Sequence, residues 1–264
     1  MTADVSIIIP SRGDGRGLAR AIRSVRGQVG VSTQIVVVLD CPEASAVEDR
    51  NALSDLRARD QIIGTSSFGR PGPLRNLGIA AATGRYIAFL DDDDEWLPTK
   101  LQRQLDVIRS ADCVLVSTDA TMVTGGVDGP NYHHGPRPRH RLELSDLTRS
   151  NLVITSSALV RADAIRRVGG FPTDASVRFC DDYIAWLKLL TIGSGSFVDS
   201  PLVRYSRHGP GSLSRMDRLS GREVRGLALS RLVDEADAMG LPLGRRARRR
   251  ILRQVVQDKL SVNE

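Results

Sequence analysis

Apolar runs rich in β-branched residues recur through the first half of the chain, and they limit what it can fold into. VSIIIP spans 5–10, QIVVVLD 34–40, RYIAFL 85–90 and CVLVST 113–118, with QIIGT as a shorter run at 61–65. Continuous apolar runs of this length fit strands buried on both faces. Between them lie helical stretches. LARAIRSVRGQ (18–28) places apolar residues at 18, 21, 22 and 25. AVEDRNALSDLRAR (46–59) reads as a helix, and so does PLRNLGIAAATG (73–84), with Gly84 expected as its C-cap. LPTKLQRQLDVIRSA (97–111) reads as a helix with Pro98 near its start. This β-α-β-α alternation predicts an α/β fold with a mostly parallel sheet flanked by helices.

After residue 119 the pattern loosens. Residues 124–140 are rich in Gly and Pro and read as a loop, with His133, His134 and His140 as loop residues. Residues 152–171 predict a strand and a short helix, and 181–193 a helix with acids in its first turn. A strand and a loop are expected within 195–209, and two helices, 220–239 and 243–260, follow.

A chain of 264 residues that is 41% hydrophobic supports one sizeable core with a small appendage. No apolar run approaches the roughly 20 residues that span a bilayer. The start, MTADVSIIIPSRG, has no basic stretch before its short apolar run, so it reads as a first strand and not as a signal peptide. Cys41, Cys113 and Cys180 are odd in number and scattered. That pattern suggests neither a disulfide framework nor a zinc site, and a reducing cytoplasm is the expected setting. The net charge of +6 is segregated, with bases crowded into GRRARRRILRQ (244–254) and acids into DDDDE (91–95) and CDDY (180–183).

The apolar run YIAFL leads straight into Asp91, Asp92, Asp93 and Asp94. In parallel α/β sheets ligands bind at the carboxyl ends of strands. Two carboxylates about 4 Å apart repel by about 1 kcal/mol in water and by several times that near a protein surface. A cluster therefore needs a cation or raised pKa values. Hard oxygen donors favour Mg²⁺ or Mn²⁺, which take their remaining ligands from phosphates and water. The plainer alternative is a solvated acidic turn ahead of the helix near Pro98. Near the N-terminus, Gly13, Gly15 and Gly17 partly match a dinucleotide fingerprint, with Asp40 as the acid after the next strand. The match is incomplete, because Leu18 stands where the third glycine should fall. A flexible loop before a helix accounts for the glycines as well.

Taken in order, VSIIIPSR, IVVVLD, PLRNLGIAAATGRYIAFLDDDDEW, GGF, CDDYIAWLKL and VRYSRHGPGSLS resemble the family 2 glycosyltransferases of the GT-A fold, over roughly residues 4–214. The resemblance implies inverting transfer of a sugar from a nucleotide-sugar, most often a UDP-sugar, assisted by Mg²⁺ or Mn²⁺. It implies a glycosyltransferase domain over 1–215, with a nucleotide-binding half at 1–119 and an acceptor half at 120–215, then a helical extension at 216–264. Carried over position by position, Pro10, Ser11 and Arg12 fall on the loop that touches the nucleoside. Asp40 falls on the acid that binds the base, although LDCPE departs from the usual run of acids there. Arg75 and Asp92 fall near the nucleotide. Asp91 and Asp93 match the D-x-D metal element, with His208 as a basic residue by the diphosphate and a further metal candidate. Asp182 matches the catalytic base, with Asp181 beside it. The Q-x-x-R-W motif and membrane helices of processive relatives are missing, which points to addition of one sugar at a time.

The chemistry is consistent with this. Displacement at an anomeric carbon needs a base on the acceptor hydroxyl and charge neutralisation on the departing diphosphate. For Asp182 the alternative is service at the N-terminus of the helix it opens. Two other functions fit the acids less well: a metal-dependent nucleotidyltransferase, whose glycine-rich signature SRGDGRG matches poorly, and a non-catalytic nucleotide-sugar-binding protein. The acceptor is left open between a glycan, a lipid-linked and a small molecule, and no nucleic-acid partner is expected. In the last helix Ala247, Ile251, Leu252, Val255, Val256 and Leu260 recur at helical spacing and are expected on one face, with arginines over the rest. That face can pack on the preceding helix, join a second subunit, or lie with its arginines on an anionic membrane.

Overall fold

The computed structural model describes residues 3–13, 17–41, 53–66, 68–134, 138, 140–177, 179–207 and 220–260. Its first half follows the predicted alternation. Strand β1 (Val5–Ser11) leads through α1 (Gly17–Arg26) to β2 (Thr33–Leu39). Next come β3 (Gln61–Gly64), α2 (Pro71–Ala81), β4 (Tyr86–Phe89), the short β5 (Glu95–Trp96) and α3 (Lys100–Ser110). The second half holds β6 (Leu115–Thr124), β7 (Val127–Asn131), β8 (Arg141–Leu142), α4 (Leu144–Leu147), β9 (Leu159–Arg161), α5 (Ala162–Arg167), α6 (Asp181–Ile192) and β10 (Gly195–Ser206). Helices α7 (Gly221–Met239) and α8 (Arg245–Leu260) follow.

One mixed sheet organises these elements in the order β3-β2-β1-β4-β9-β6-β10-β5, with β7 beside β6 and β8 beside β10. Strands β1 to β4 run parallel, β9 runs antiparallel to both β4 and β6, and β10 is parallel to β6. Alternate residues of the central strands face opposite layers, as a period of two requires. Ile8, Val36 and Val38 join a core with α2, α5, α6 and the C-terminal helices. Ile7, Ile9, Ile35 and Val37 join a second core with α1 and α3. The uniformly apolar strand sequences are thus explained by burial on both sides.

Chain order turns at β1, which has β2 on one side and β4 on the other. Pairing of β1 with β4 runs only to Ile8 and Phe89, whereas pairing with β2 continues to Ser11. Pro10 lies past the last β4 pair, where a residue without an N–H costs no ladder bond on that side. The two strand ends part there, and ligands of open α/β sheets bind at such a switch point.

Several elements differ from expectation. Residues 46–52 of the predicted helix 46–59 lie outside the described residues. Residues 53–60 form turns instead of a helix, closed by the Leu56 N–H on Leu53 O and the Asp60 N–H on Arg57 O. The Asp60 carboxylate accepts the N–H groups of Ile35 and Arg57 at 2.7 and 2.6 Å and pairs with Arg26, so this segment is tied to the sheet edge. Gly84 is not a helix C-cap. Helix α2 ends at Ala81, and Gly84 is needed because a Cβ there would meet the Ser6 nitrogen at 2.6 Å. The expected loop at 124–140 contains a hairpin, β6 to β7, turning at Gly125–Gly126. In 152–171 the strand is confined to 159–161, and a 3-10 turn at Thr155–Ser157 precedes it.

Candidate active site

The acidic turn begins where β4 leaves the sheet. Asp91, Asp92 and Asp93 are half-buried, while Asp94 is buried. Neighbouring elements fix the turn. Ser11, at the end of β1, donates its hydroxyl to Asp92 Oδ2 at 2.5 Å. The Asp91 N–H donates to Ser156 Oγ at 3.1 Å. Ser206, the last residue of β10, donates its N–H to Asp94 Oδ1 and its hydroxyl to the Asp93 carbonyl, at 2.8 and 2.6 Å. Helix α1 begins directly against the turn, and a Cβ on Gly17 would lie 2.3 Å from the Asp92 carbonyl oxygen. That close approach explains at least one of the N-terminal glycines without any dinucleotide.

Arg75 reaches the turn from α2. It is buried, donates through Nη2 to Asp91 Oδ1 at 2.6 Å, and places Nη1 3.6 Å from Asp181 Oδ2. Its guanidinium lies 5.3 Å from the centre of the Phe171 ring. Burial alone would lower the Arg75 pKa, yet the charges of Asp91, Asp181 and Asp182 raise it, so it stays cationic. One buried cation therefore joins the acidic turn to the acid pair that opens α6.

That pair is positioned by the first turn of α6, whose dipole favours negative charge. Asp181 is buried under α2, where a Cβ on Gly72 would come within 2.7 Å of its Oδ2. Burial is the main cause that pushes its pKa up to about 7, against the pull of Arg75. Asp182 is half-buried. Its Oδ2 accepts from Thr155 Oγ1 at 3.0 Å and from Asn151 Nδ2 at 3.4 Å, and its Oδ1 accepts the Tyr183 N–H at 2.6 Å. One oxygen thus serves the helix end, while the other faces polar side chains. Burial raises the Asp182 pKa, opposed by Arg75 and by the Thr155 and Tyr183 hydrogen bonds. Asp94 also lies well above the usual carboxylate range, because burial and the charges of Asp93 and Asp91 all oppose its ionisation. Its Oδ2 is buried without a hydrogen-bond partner.

The fold thus brings Ser11, Arg75, Asp91, Asp92 and Asp181 into one chain of contacts, with Asp93 in the same turn and Asp182 next to Asp181. Pro10 is buried and Arg12 exposed beside Ser11. Asp40 stands apart, at the end of β2. Its two oxygens accept the N–H groups of Phe68 and Gly69 at 2.5 and 2.9 Å, which pins the segment before α2. His208 lies outside the described residues. His133, His134 and His140 lie outside helices and strands, as expected, and the His133 ring packs edge-on against Phe197 and Tyr132.

Asn151, Thr155, Ser156 and Ser206 are site residues that sequence reasoning missed. The signal for two of them was available: TSS at 155–157 interrupts an apolar run with three hydroxyls, and all three residues are buried.

The donor chemistry fits a divalent cation of limited protein ligation. Among the described residues no group of three or more His, Cys, Asp or Glu side chains is gathered to hold a metal on its own. Asp91 and Asp93 offer two hard carboxylates on one turn. Mg²⁺ is commonly held by one or two carboxylates, with phosphate and water completing its shell.

A mixed sheet with a carboxylate turn at its switch point, joined through Arg75 to an acid pair on a helix, has the architecture of the GT-A fold. The sequence matches the family described as Glycosyl transferase family 2 over residues 6–169, and the chain belongs to that family. It is 29% identical over 231 residues to the succinoglycan biosynthesis protein ExoO of Rhizobium meliloti, covering 82% of this chain and 64% of that protein. It is 38% identical over 205 residues to the uncharacterized glycosyltransferase alr2836 of Nostoc sp., covering 70% and 62%. The chain therefore spans a little under two thirds of the length of these relatives. The S. aureus TarS 1–349 crystal structure with UDP-GlcNAc superposes with a TM-score of 0.72 at 16% identity, covering 99% of this chain and 73% of that one. Family membership sets aside the nucleotidyltransferase reading. Among the described residues no helix is long and apolar enough to cross a membrane.

Proposed function

We propose that the chain transfers a sugar from a UDP-sugar to an acceptor hydroxyl with inversion, assisted by Mg²⁺ or Mn²⁺. The observation that carries this reading is the pair of carboxylate sets held around the single buried Arg75. Asp91 and Asp93 are the residues that would hold the cation, which when bound neutralises charge on the departing diphosphate. Ser11 fixes Asp92, and Ser206 and Ser156 fix the backbone of the turn, so the acids are set in place before a ligand arrives. Asp182 takes the proton from the acceptor hydroxyl through its Oδ2, the oxygen oriented by Thr155 and Asn151. Its raised pKa brings it closer to the pH at which a general base works best. Asp181 and Arg75 act behind it and set its electrostatic environment. TarS, which shares the fold, has been crystallised with UDP and with UDP-GlcNAc, and this supports a uridine nucleotide here.

Calorimetric titration tests the reading. UDP, GDP and dTDP are each titrated in Mn²⁺ and in chelator, with the native chain and with Asp93→Ala. The expected result is cation-dependent binding of UDP above the other two, lost in Asp93→Ala while the thermal unfolding of the chain is kept. Equal binding of all three nucleotides in chelator and in Mn²⁺ sinks the cation site. Cation-dependent UDP binding without sugar transfer or donor hydrolysis would leave a binding protein.

A further inference from the structure

The six apolar residues of α8 do not share one face. Ile251 and Val255 point inward, in the core that includes Leu229, Leu232 and Val233 of α7. Leu252, Val256 and Leu260 point outward and are 44%, 56% and 64% exposed. Residues i and i+1 on a helix are about 100° apart, so 251 and 252, like 255 and 256, fall on different faces. The outward three are spaced by four and form one stripe, about 12 Å long at the helical rise.

Cations surround that stripe. Arg245, Arg246, Arg249, Arg250 and Arg253 are all exposed, as is Lys259. The only acid in α8, Asp258, is turned inward and gripped by Arg225 of α7, with Nε to Oδ2 at 2.8 Å and a second contact from Nη2 to Oδ1. Arg248 differs from the others, since it pairs with Asp237 at the end of α7. The outward face of α8 is therefore cationic throughout, with aliphatic side chains set into it.

We infer that this face docks on an anionic lipid bilayer, with the arginines at the headgroups and Leu252, Val256 and Leu260 at the acyl boundary. Charge complementarity selects the occupant. A second copy meeting the same face would oppose arginine to arginine, which costs free energy in any low-dielectric interface. A nucleic acid would satisfy the arginines but would leave the aliphatic stripe in water. A bilayer of acidic lipids takes both, and each Arg near such a surface contributes about a fivefold gain in partitioning. Three aliphatic residues are few, so attachment depends on charge and is reversible by salt.

Co-sedimentation with vesicles of phosphatidylcholine alone, and with phosphatidylglycerol added, tests this on the full chain. Binding is expected only with the anionic lipid at low salt, and is expected to be lost near 0.5 M salt, where the Debye length is about 4 Å. The triple variant Arg249→Gln, Arg250→Gln, Arg253→Gln is expected to bind about 100-fold more weakly. Leu252→Ser with Val256→Ser is expected to weaken binding at least several-fold without moving the thermal midpoint, since both residues are exposed. No binding to anionic vesicles at low salt overturns the proposal. So does equal binding to zwitterionic vesicles, or a serine variant that binds as well as the parent while the chain retains polyuridylate equally tightly. A dimer in sedimentation velocity that dissociates on Leu252→Ser would assign the face to a second copy instead.

Discussion

The acidic turn after β4 and the acid pair that opens α6 present the same functional group in two settings, with Arg75 between them. In the turn, Asp91, Asp92 and Asp93 meet solvent in part, and Asp94 is sunk beneath them. In the pair, Asp182 meets solvent in part, and Asp181 is sunk under α2. The turn thus holds three open acids and a buried one, the pair one of each, and burial raises the proton affinity of Asp94 and of Asp181 alike. The regions differ in what surrounds the open acids. The turn crowds three half-buried carboxylates, an arrangement that invites a cation. Asp182 has two neutral donors and a helix end, an arrangement that leaves an oxygen able to take a proton. In the proposed function, environment, and not residue type, separates the two roles.

The sharpest way to break this comparison is to neutralise Asp182. Asp182→Asn keeps the shape and an oxygen for the Tyr183 N–H but removes the basicity. Turnover is expected to fall by about 10²–10⁴-fold with donor affinity unchanged. Near-normal kcat would move the base elsewhere, with Asp181 tested next. The second test removes the cation shared by both regions. Arg75→Met fills similar volume but leaves Asp91 and Asp181 without their counter-charge. Removing one partner of a buried pair costs about 3–5 kcal/mol. Chemical denaturation at pH 8 measures it, and a loss below about 1 kcal/mol would show that Arg75 does not hold the two regions together.

The fold was legible in the sequence where burial is symmetric. Runs such as VSIII and IVVVL announce strands covered on both faces, and the helices between them follow. The hairpin strand β7 was not legible, because VDGPN is mostly exposed and carries no apolar period. The extent of β10 was hidden by Pro201, where the strand shifts register against β6 and continues. In the site, Asp91, Asp93 and Asp182 were legible through motifs. Their partners were not: Thr155 and Asn151 stand 27 and 31 residues from Asp182, and only tertiary packing brings them there. Helical geometry already sets 251 about 100° from 252, but which of the two stripes in α8 is covered emerges only from its contact with α7. Asp40 shows the reverse case. A strand-end acid suits a base-binding role, yet the partners its two oxygens have here are the Phe68 and Gly69 amides.

A third test sharpens the contrast by pH. Burial pushes the Asp181 pKa up to about 7 in the folded chain, from about 3.9 in the unfolded one. Between those values the native state binds the extra proton, so stability falls as pH rises. Asp181→Asn removes that dependence. Its thermal midpoint relative to the parent is expected to rise from pH 4 to about pH 7 and then level off. A flat difference across that window would mean that Arg75 keeps Asp181 ionised throughout.

The smallest effect is expected at Asp94, and it separates the buried acid of the turn from its open neighbours. Its side chain accepts the Ser206 N–H through Oδ1, and Oδ2 is enclosed without a partner. A buried carboxyl whose proton affinity is raised by burial and by two neighbouring acids is held neutral well above the usual range. An asparagine there presents the same oxygen to Ser206 and no charge. Asp94→Asn is therefore expected to change stability by less than about 1 kcal/mol near neutral pH. It is expected to gain on the parent as pH rises, because the parent alone must then either ionise a buried acid or hold its proton against the solvent. Cation-dependent UDP binding is expected to survive, in contrast to its loss in Asp93→Ala. If Asp94→Asn abolishes that binding while the fold is kept, Asp94 belongs with the open acids, and the division of the turn into one buried and three open carboxylates is wrong.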